Sequence, residues 1–211
     1  MLTKLKKTVQ SWIAGEARIA QKVGLTPNQV SALGVILGAA AGSAYWVAGL
    51  SSDGSDLYRI CLLLAVLLLL ASGFCDALDG TLARLYGQTS ALGGFMDSLL
   101  DRYVDAAIFI GLILGGLCDL LWGLLALIGS LLTSYARSRS GAAGVPMETV
   151  GIVERAERLL IVAAASLFSL VWPETLRWSV VLLALATNVT VLQRAIYFYR
   201  RTISHPESRS N

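Results

Sequence analysis

The sequence predicts an all-α, polytopic membrane protein, with six transmembrane helices behind an N-terminal amphipathic surface helix. Three observations carry that reading. Of the 211 residues, 55% are hydrophobic and only 15% charged, against about 25% charged in an average soluble domain. The apolar residues gather into long stretches, and the chain has room for about six spans of ~20 residues with short loops. Most of the basic residues fall at one side of such a six-span arrangement. Mean hydropathy is +0.66 and formal net charge +3, and no nucleic-acid partner is expected.

The elements follow in order. Residues 1–24 form the surface element. Leu2, Leu5, Val9, Trp12 and Ile13 recur at helical spacing, while Lys4, Lys6, Lys7, Ser11 and Arg18 lie mostly off that stripe. Such a helix lies in the membrane interface. Its basic start is not followed by an apolar run with a small-residue cleavage site, so no cleavable signal peptide is expected. Thr26 suits an N-cap with Pro27 at the first helical position, opening span 1 at 27–49. The remaining spans are predicted at 57–84, 90–117, 119–139, 150–171 and 174–200. Residues 25–201 thus make one six-helix domain, and 202–211 a polar tail expected to fray.

Topology follows from the basic residues. Lys4, Lys6, Lys7, Arg84, Arg137, Arg139, Arg155, Arg158, Arg194, Arg200 and Arg201 fall at or near one side, and Arg59 and Arg177 at the other, with Asp53, Asp56 and Glu174. The positive-inside rule puts both termini, and the loop at 85–90, in the cytoplasm. A multi-pass protein of the cell membrane is expected, its polar site facing the cytoplasm. Cys61, Cys75 and Cys118 are scattered through apolar segments without ligand spacing and read as buried thiols.

One feature of the two central spans is out of keeping with plain membrane anchors. Within 26 residues stand Asp76, Asp79, Gly80, Ala83, Arg84, Gly93, Asp97 and Asp101. A charged group in membrane-grade sequence costs roughly 2.5–3.5 kcal/mol on insertion scales, so its default reading is functional. Asp76 and Asp79 share one helix face, as do Asp97 and Asp101. In an antiparallel hairpin of spans 2 and 3, Asp76 faces Asp101 and Asp79 faces Asp97, with index sums of 177 and 176. All four carboxylates are then expected at one depth, in the cytoplasmic third of the membrane. Gly80, Ala83 and Gly93 lie about a turn nearer the loop, leaving space for a ligand or a backbone. Carboxylates without His or Cys point to a hard cation, Mg²⁺ or Mn²⁺. Four of them suit two ions clamping a phosphoryl transfer.

The pattern Asp-x2-Asp-Gly-x2-Ala-Arg-x8-Gly-x3-Asp-x3-Asp resembles the signature of the CDP-alcohol phosphatidyltransferase family, with every fixed position met. The resemblance implies displacement of CMP from a CDP-linked lipid by an acceptor hydroxyl. It implies Asp76, Asp79, Asp97 and Asp101 at the metals, with Asp101 as general base. Asp76, Gly80, Ala83, Arg84 and Gly93 are then expected to hold the cytidine diphosphate of the lipid.

A second constellation lies in the C-terminal half. Arg137 and Arg139 end span 4, Arg155 and Arg158 open span 5, and Arg194 lies in span 6. Arg137, Arg139, Arg155 and Arg194 are expected to converge at the cytoplasmic mouth, where guanidinium forks match phosphate oxygens. Glu154 and Glu157 are expected to pair with and orient the arginines. This arrangement resembles the family members whose acceptor is inositol 1-phosphate. The Glu-Arg-Ala-Glu-Arg run at 154–158 looks most like the archaeal, archaeol-lipid branch. The bacterial diacylglycerol branch usually carries Pro where Ala156 stands and Lys where Arg137 stands. Both CDP-archaeol and CDP-diacylglycerol stay open as donors, and glycerol 3-phosphate as an acceptor. A divalent-cation or proton transporter is the rival class, since intramembrane carboxylates also line ion paths. Against it, no broken helices or inverted halves are evident. A homodimer is among the assemblies the sequence leaves open.

Overall fold

The computed structural model of the chain describes residues 13–147 and 150–204, and among these all regular structure is helical. The first described helix, α1, covers 13–22. Then come α2 (Pro27–Gly49), α3 (Asp56–Leu85), α4 (Ala91–Leu114), α5 (Leu120–Ala142), α6 (Arg155–Phe168) and α7 (Glu174–Ser204). Most of the surface stripe expected at the N-terminus, from Leu2 to Trp12, lies outside the described residues. Its continuation, α1, buries Ala17 and the flank of Ile13 against Val30 of α2 and Cys75, Leu78 and Leu82 of α3. The tail beyond Ser204 also lies outside the described residues.

The helix starts are written in local chemistry. Thr26 caps α2 through a capping box with Gln29, and Pro27 takes the first position. Ser55 accepts from the Tyr58 amide at the head of α3, and Ser90 from the Gly93 amide at the head of α4. The turns at Gly24, Gly54, Gly87, Gly116 and Gly144 all use positive φ. That left-handed region costs glycine nothing.

Among the described residues, four helices, α2, α3, α5 and α7, are long and apolar enough to cross a membrane. Two of the six expected spans differ. The α4 helix carries Asp97, Asp101, Arg102 and Asp105, too many charges for a plain apolar span. The α6 helix has 14 residues rather than the 22 expected. That is about 21 Å of helix at 1.5 Å per residue. The shortfall lies at both ends, at 169–171 and at 150–154, where Gly151 has φ +136° and the chain is non-helical. The outer helix faces carry exposed Leu67, Leu182 and Trp178, each at least 58% accessible. These surfaces suit lipid rather than water.

Packing divides the helices into two groups, α2 with α3 and α4, and α7 with α5 and α6, joined by α3–α6 and α4–α5 contacts. A shared core runs through both, including Tyr45, Leu62, Leu69, Ile108, Leu112, Val162, Val180 and Leu183. The expected α3–α4 hairpin is not a tightly packed pair. Instead α2 lies against both helices, while α3 and α4 make no extensive backbone contact among the described residues. The cause is a glycine ridge on α2. A Cβ on Gly34 would sit 3.0 Å from Cys75 Cβ, and one on Gly38 would sit 2.6 Å from Val104 Cγ1. A Cβ on Gly42 would run into the Ala107 carbonyl. Small residues at four-residue spacing let helix backbones approach closely in a membrane. Wedged in this way, α2 holds α3 and α4 apart and leaves a gap at the end where the acidic residues lie.

Candidate active site

The side chains of the site come from four helices. Asp76 and Asp79 project from the last turns of α3, Asp97 and Asp101 from the first half of α4, Ser31 from the start of α2, and Arg155 is the first residue of α6. Asp76, Asp97 and Asp101 each offer a carboxylate oxygen, and these oxygens all lie within 4.8 Å of one another. Asp79 lines the same recess without being one of the three. It is 5% accessible and accepts a hydrogen bond from the Ser31 hydroxyl. The single depth expected for four carboxylates therefore resolves into a trio plus one buried, hydrogen-bonded neighbour.

Two cavities meet at these residues. A tight recess of about 20 Å³ is lined by Ser31, Ser72, Asp76, Asp79, Asp97, Asp101 and Arg155, among others. That volume has room for a water or an ion. A cleft of about 210 Å³ adjoins it, and its walls include Asn28, Gly80, Ala83, Arg84, Gln88, Thr89 and Gly93. Ser31, Asp79 and Asp97 line both spaces. All four small or basic residues expected around a nucleotide, Gly80, Ala83, Arg84 and Gly93, thus face one cleft. Arg84 curls back over Gly80, its Nη1 3.3 Å from where a Cβ there would lie. Its Nη2 donates to Thr81 Oγ1 at 3.3 Å.

The donor chemistry fits a divalent hard cation. The trio offers carboxylate oxygens only, and a 4.8 Å spread closes to the separation allowed on one ion by small side-chain movement. Oxygens at 2.0–2.1 Å from a Mg²⁺ lie at most about 4.2 Å apart. Such a cluster of like charges also needs a compensating cation. Part of that compensation comes from Arg155. Its Nη1 is 3.0 Å from Asp76 Oδ2 and 2.7 Å from Asp101 Oδ1, and its Nε is 3.2 Å from Asp105 Oδ1.

The other three predicted arginines are placed differently. Arg137 and Arg139 are exposed near the end of α5. Arg194 is 2% accessible, with Nε donating to the Val150 carbonyl at 2.8 Å and Nη1 to the Thr133 carbonyl at 2.6 Å. It clamps the non-helical 150–154 segment onto α5 and α7, and Thr190 Oγ1 adds a bond from the Ile152 amide at 3.2 Å. Glu157 does not pair with an arginine in an ion pair among the described residues. It accepts from the Glu154 amide at 2.8 Å and caps α6, because an N-terminal amide needs an acceptor that the helix cannot supply.

Three features escaped the sequence reading. Ser31 lies one turn into α2, below the cap at Thr26, and only the packing of α2 on α3 brings it to Asp79. Asp105 continues the four-residue ladder of Asp97 and Asp101, a signal that was visible in the chain. The glycine ridge was legible too, as Gly-x3-Gly-x3-Gly from Gly34 to Gly42.

Comparison with known proteins gives a consistent set of relatives. Residues 25–192 match the family described as CDP-alcohol phosphatidyltransferase. The archaetidylinositol phosphate synthase of Methanothermobacter thermautotrophicus is 37% identical over 202 residues, covering 95% of this chain and 95% of that protein. The crystal structure of Mycobacterium tuberculosis phosphatidylinositol phosphate synthase with CDP-DAG bound superposes with a TM-score of 0.74 at 29% identity, covering 89% of this chain and 93% of that one. The same enzyme in complex with manganese and citrate also gives a TM-score of 0.74, covering 89% and 88%.

Proposed function

The chain belongs to the CDP-alcohol phosphatidyltransferase family, making it a transferase of phospholipid biosynthesis rather than a transporter, and we propose that it transfers a phosphatidyl-type group from a CDP-linked lipid to inositol 1-phosphate, releasing CMP. The observation that carries this reading is one wall shared by two spaces. A cleft lined by Gly80, Ala83, Arg84 and Gly93 opens onto a recess that holds Asp101 beside Arg155.

In this reading Asp76, Asp79, Asp97 and Asp101 hold Mg²⁺ or Mn²⁺, two ions in the full site. When bound, the metal supplies positive charge to the diphosphate of the donor lipid. Arg84 and the small residues of the cleft cradle the cytidine diphosphate. Asp101 takes the proton from the acceptor hydroxyl. The acceptor oxygen then bonds to the lipid-bearing phosphorus as the bond from that phosphorus to the bridging oxygen breaks, and CMP leaves with that oxygen. Arg155 receives the acceptor phosphate through charge-assisted hydrogen bonds, the exposed Arg137 and Arg139 add positive charge for the incoming anion, and the buried Arg194 serves the acceptor by holding the 150–154 segment that leads into α6. The domain lies in the cell membrane as six spans, α4 and α6 completing the four apolar ones, with the site open to the cytoplasm.

The test is a panel of acceptors offered to purified protein with CDP-archaeol or CDP-diacylglycerol, with CMP release measured and the lipid product identified. Inositol 1-phosphate is expected to turn over, and free myo-inositol to turn over poorly. Preference for glycerol 3-phosphate would reassign the acceptor, and absence of CMP release with every acceptor would remove the catalytic reading.

A further inference from the structure

Arg155 and Arg158 are three residues apart on α6, and Asp101 and Asp105 four apart on α4, so two rungs of opposite charge face each other. Yet α4 and α6 make no extensive backbone contact among the described residues. The charged side chains reach across between them, beside an apolar contact of Ile108 and Phe109 with Leu159 and Val162. Asp105 is 3% accessible and lines neither the recess nor the cleft, so it is out of reach of substrate and metal. Both of its oxygens are taken by different arginines. Oδ1 accepts from Arg155 Nε at 3.2 Å, and Oδ2 from Arg158 Nη2 at 2.8 Å. Arg158 is also 3% accessible, and the pair sits among Ile108, Phe109, Leu159 and Val162.

We propose that Asp105, itself fixed by Arg158, is the positioning residue that orients the Arg155 guanidinium toward the acceptor beside Asp101. The inference rests on the acceptor role given to Arg155 above. A guanidinium held at Nε has its plane fixed, and its Nη groups then point in one direction. Here that direction is toward Asp76 and Asp101. Arg158 does the same for the Asp105 carboxylate, whose plane would otherwise turn. Stability alone is a poor reason for the arrangement. A buried ion pair is often replaced by apolar residues at no loss, and this one lies in surroundings where apolar neighbours are at hand. Orientation is what a charged pair provides there and an apolar pair does not.

The experiment compares wild type with Asp105→Asn and with the charge-neutral double variant Asp105→Asn/Arg158→Gln. The double variant leaves no unpaired buried charge and keeps hydrogen-bonding groups at both positions. KM is measured separately for inositol 1-phosphate and for the CDP-lipid, alongside thermal unfolding in detergent. Both variants are expected to raise the acceptor KM about ten-fold or more, the worth of a misdirected charge-assisted contact. The CDP-lipid KM should stay within about two-fold, because its cleft is lined by other residues. An unchanged acceptor KM in a folded variant overturns the assignment, as do equal increases in both KM values. Failure of both variants to fold makes the pair a stability element and overturns it as well. If the wild type instead prefers another phosphorylated acceptor, the proposed acceptor falls. The same KM split, measured with the preferred acceptor, then decides the role of Asp105.

Discussion

Arg155 and Asp101 meet 2.7 Å apart, Nη1 to Oδ1, and the same nitrogen lies 3.0 Å from Asp76 Oδ2. One cation at the start of α6 thereby ties together acidic residues from α3 and α4. The contact joins the expected metal ligands to the expected acceptor site.

Asp76→Asn and Asp101→Asn should fail in different ways. Asp76 belongs to the carboxylate trio and stands at the end of the cleft-bearing helix, so its loss should weaken Mn²⁺ binding and CDP-lipid binding together. Asp101→Asn should keep CDP-lipid binding while turnover falls by about a hundred-fold or more, the usual contribution of a positioned general base. Mn²⁺ affinity by calorimetry and CMP release measure the two effects. Chelation should abolish CMP release in the wild type, and added Mg²⁺ or Mn²⁺ should restore it. Near wild-type turnover in Asp101→Asn would place the base elsewhere.

Arg155 and Arg194 should likewise separate. Arg155→Lys retains the charge but loses the fork that serves Asp76, Asp101 and Asp105 at once. Acceptor KM should rise about ten- to a hundred-fold, as expected for contacts worth roughly 1.5–3 kcal/mol each. Arg194→Ala removes donors from the Thr133 and Val150 carbonyls. It should therefore lower thermal stability as well as acceptor use, since those carbonyls lose their partner in a buried setting. Acceptor kinetics and unfolding temperature, measured on both variants, give the comparison. An Arg194→Ala protein of wild-type stability would show that the clamp on 150–154 is dispensable.

The glycine ridge should be intolerant of even one methyl group. Gly42→Ala would drive its Cβ into the Ala107 carbonyl of α4, where backbone rather than a flexible side chain must yield. Overpacking of this kind costs about 1–3 kcal/mol. It should lower the unfolding temperature and, by shifting α4, reduce activity. Gly141→Ala is the control, for nothing lies within 4 Å of its added Cβ. Alanine there should be neutral or slightly stabilising. Equal unfolding temperatures for the two variants would remove the ridge as the reason for the α2 wedge.

Orientation is open to direct labelling. Cys61, Cys75 and Cys118 are all buried, so a new cysteine at the exposed Tyr86 position provides a selective reporter. In sealed right-side-out vesicles, Tyr86→Cys should resist an impermeant external thiol reagent and react once the vesicles are opened. Reaction before opening would reverse the topology.

Much of this protein was legible in the chain because its signals are local. Caps at Thr26 and Pro27, apolar runs of spanning length and four-residue spacing of acids on α4 depend on neighbours within a turn or two. The α2 and α3 boundaries fall within a residue of those expected for this reason. The membership of the cleft was legible as well, since Gly80, Ala83, Arg84 and Gly93 sit at fixed offsets on two helices joined by one short loop. What the sequence alone did not determine depends on contacts between distant segments. Whether α3 packs on α4 or on α2 was decided by backbone approach at Gly34, Gly38 and Gly42. Asp79 meets its hydrogen-bond donor in Ser31, 48 positions away in the chain. Arg155 and Arg194, alike in the sequence as basic residues expected near one membrane face, have opposite surroundings through tertiary packing. One guanidinium lies among carboxylates from other helices, and the other against backbone carbonyls left without helical partners. Spacing along a helix fixes which side chains share a face, but only the packed bundle decides what that face meets.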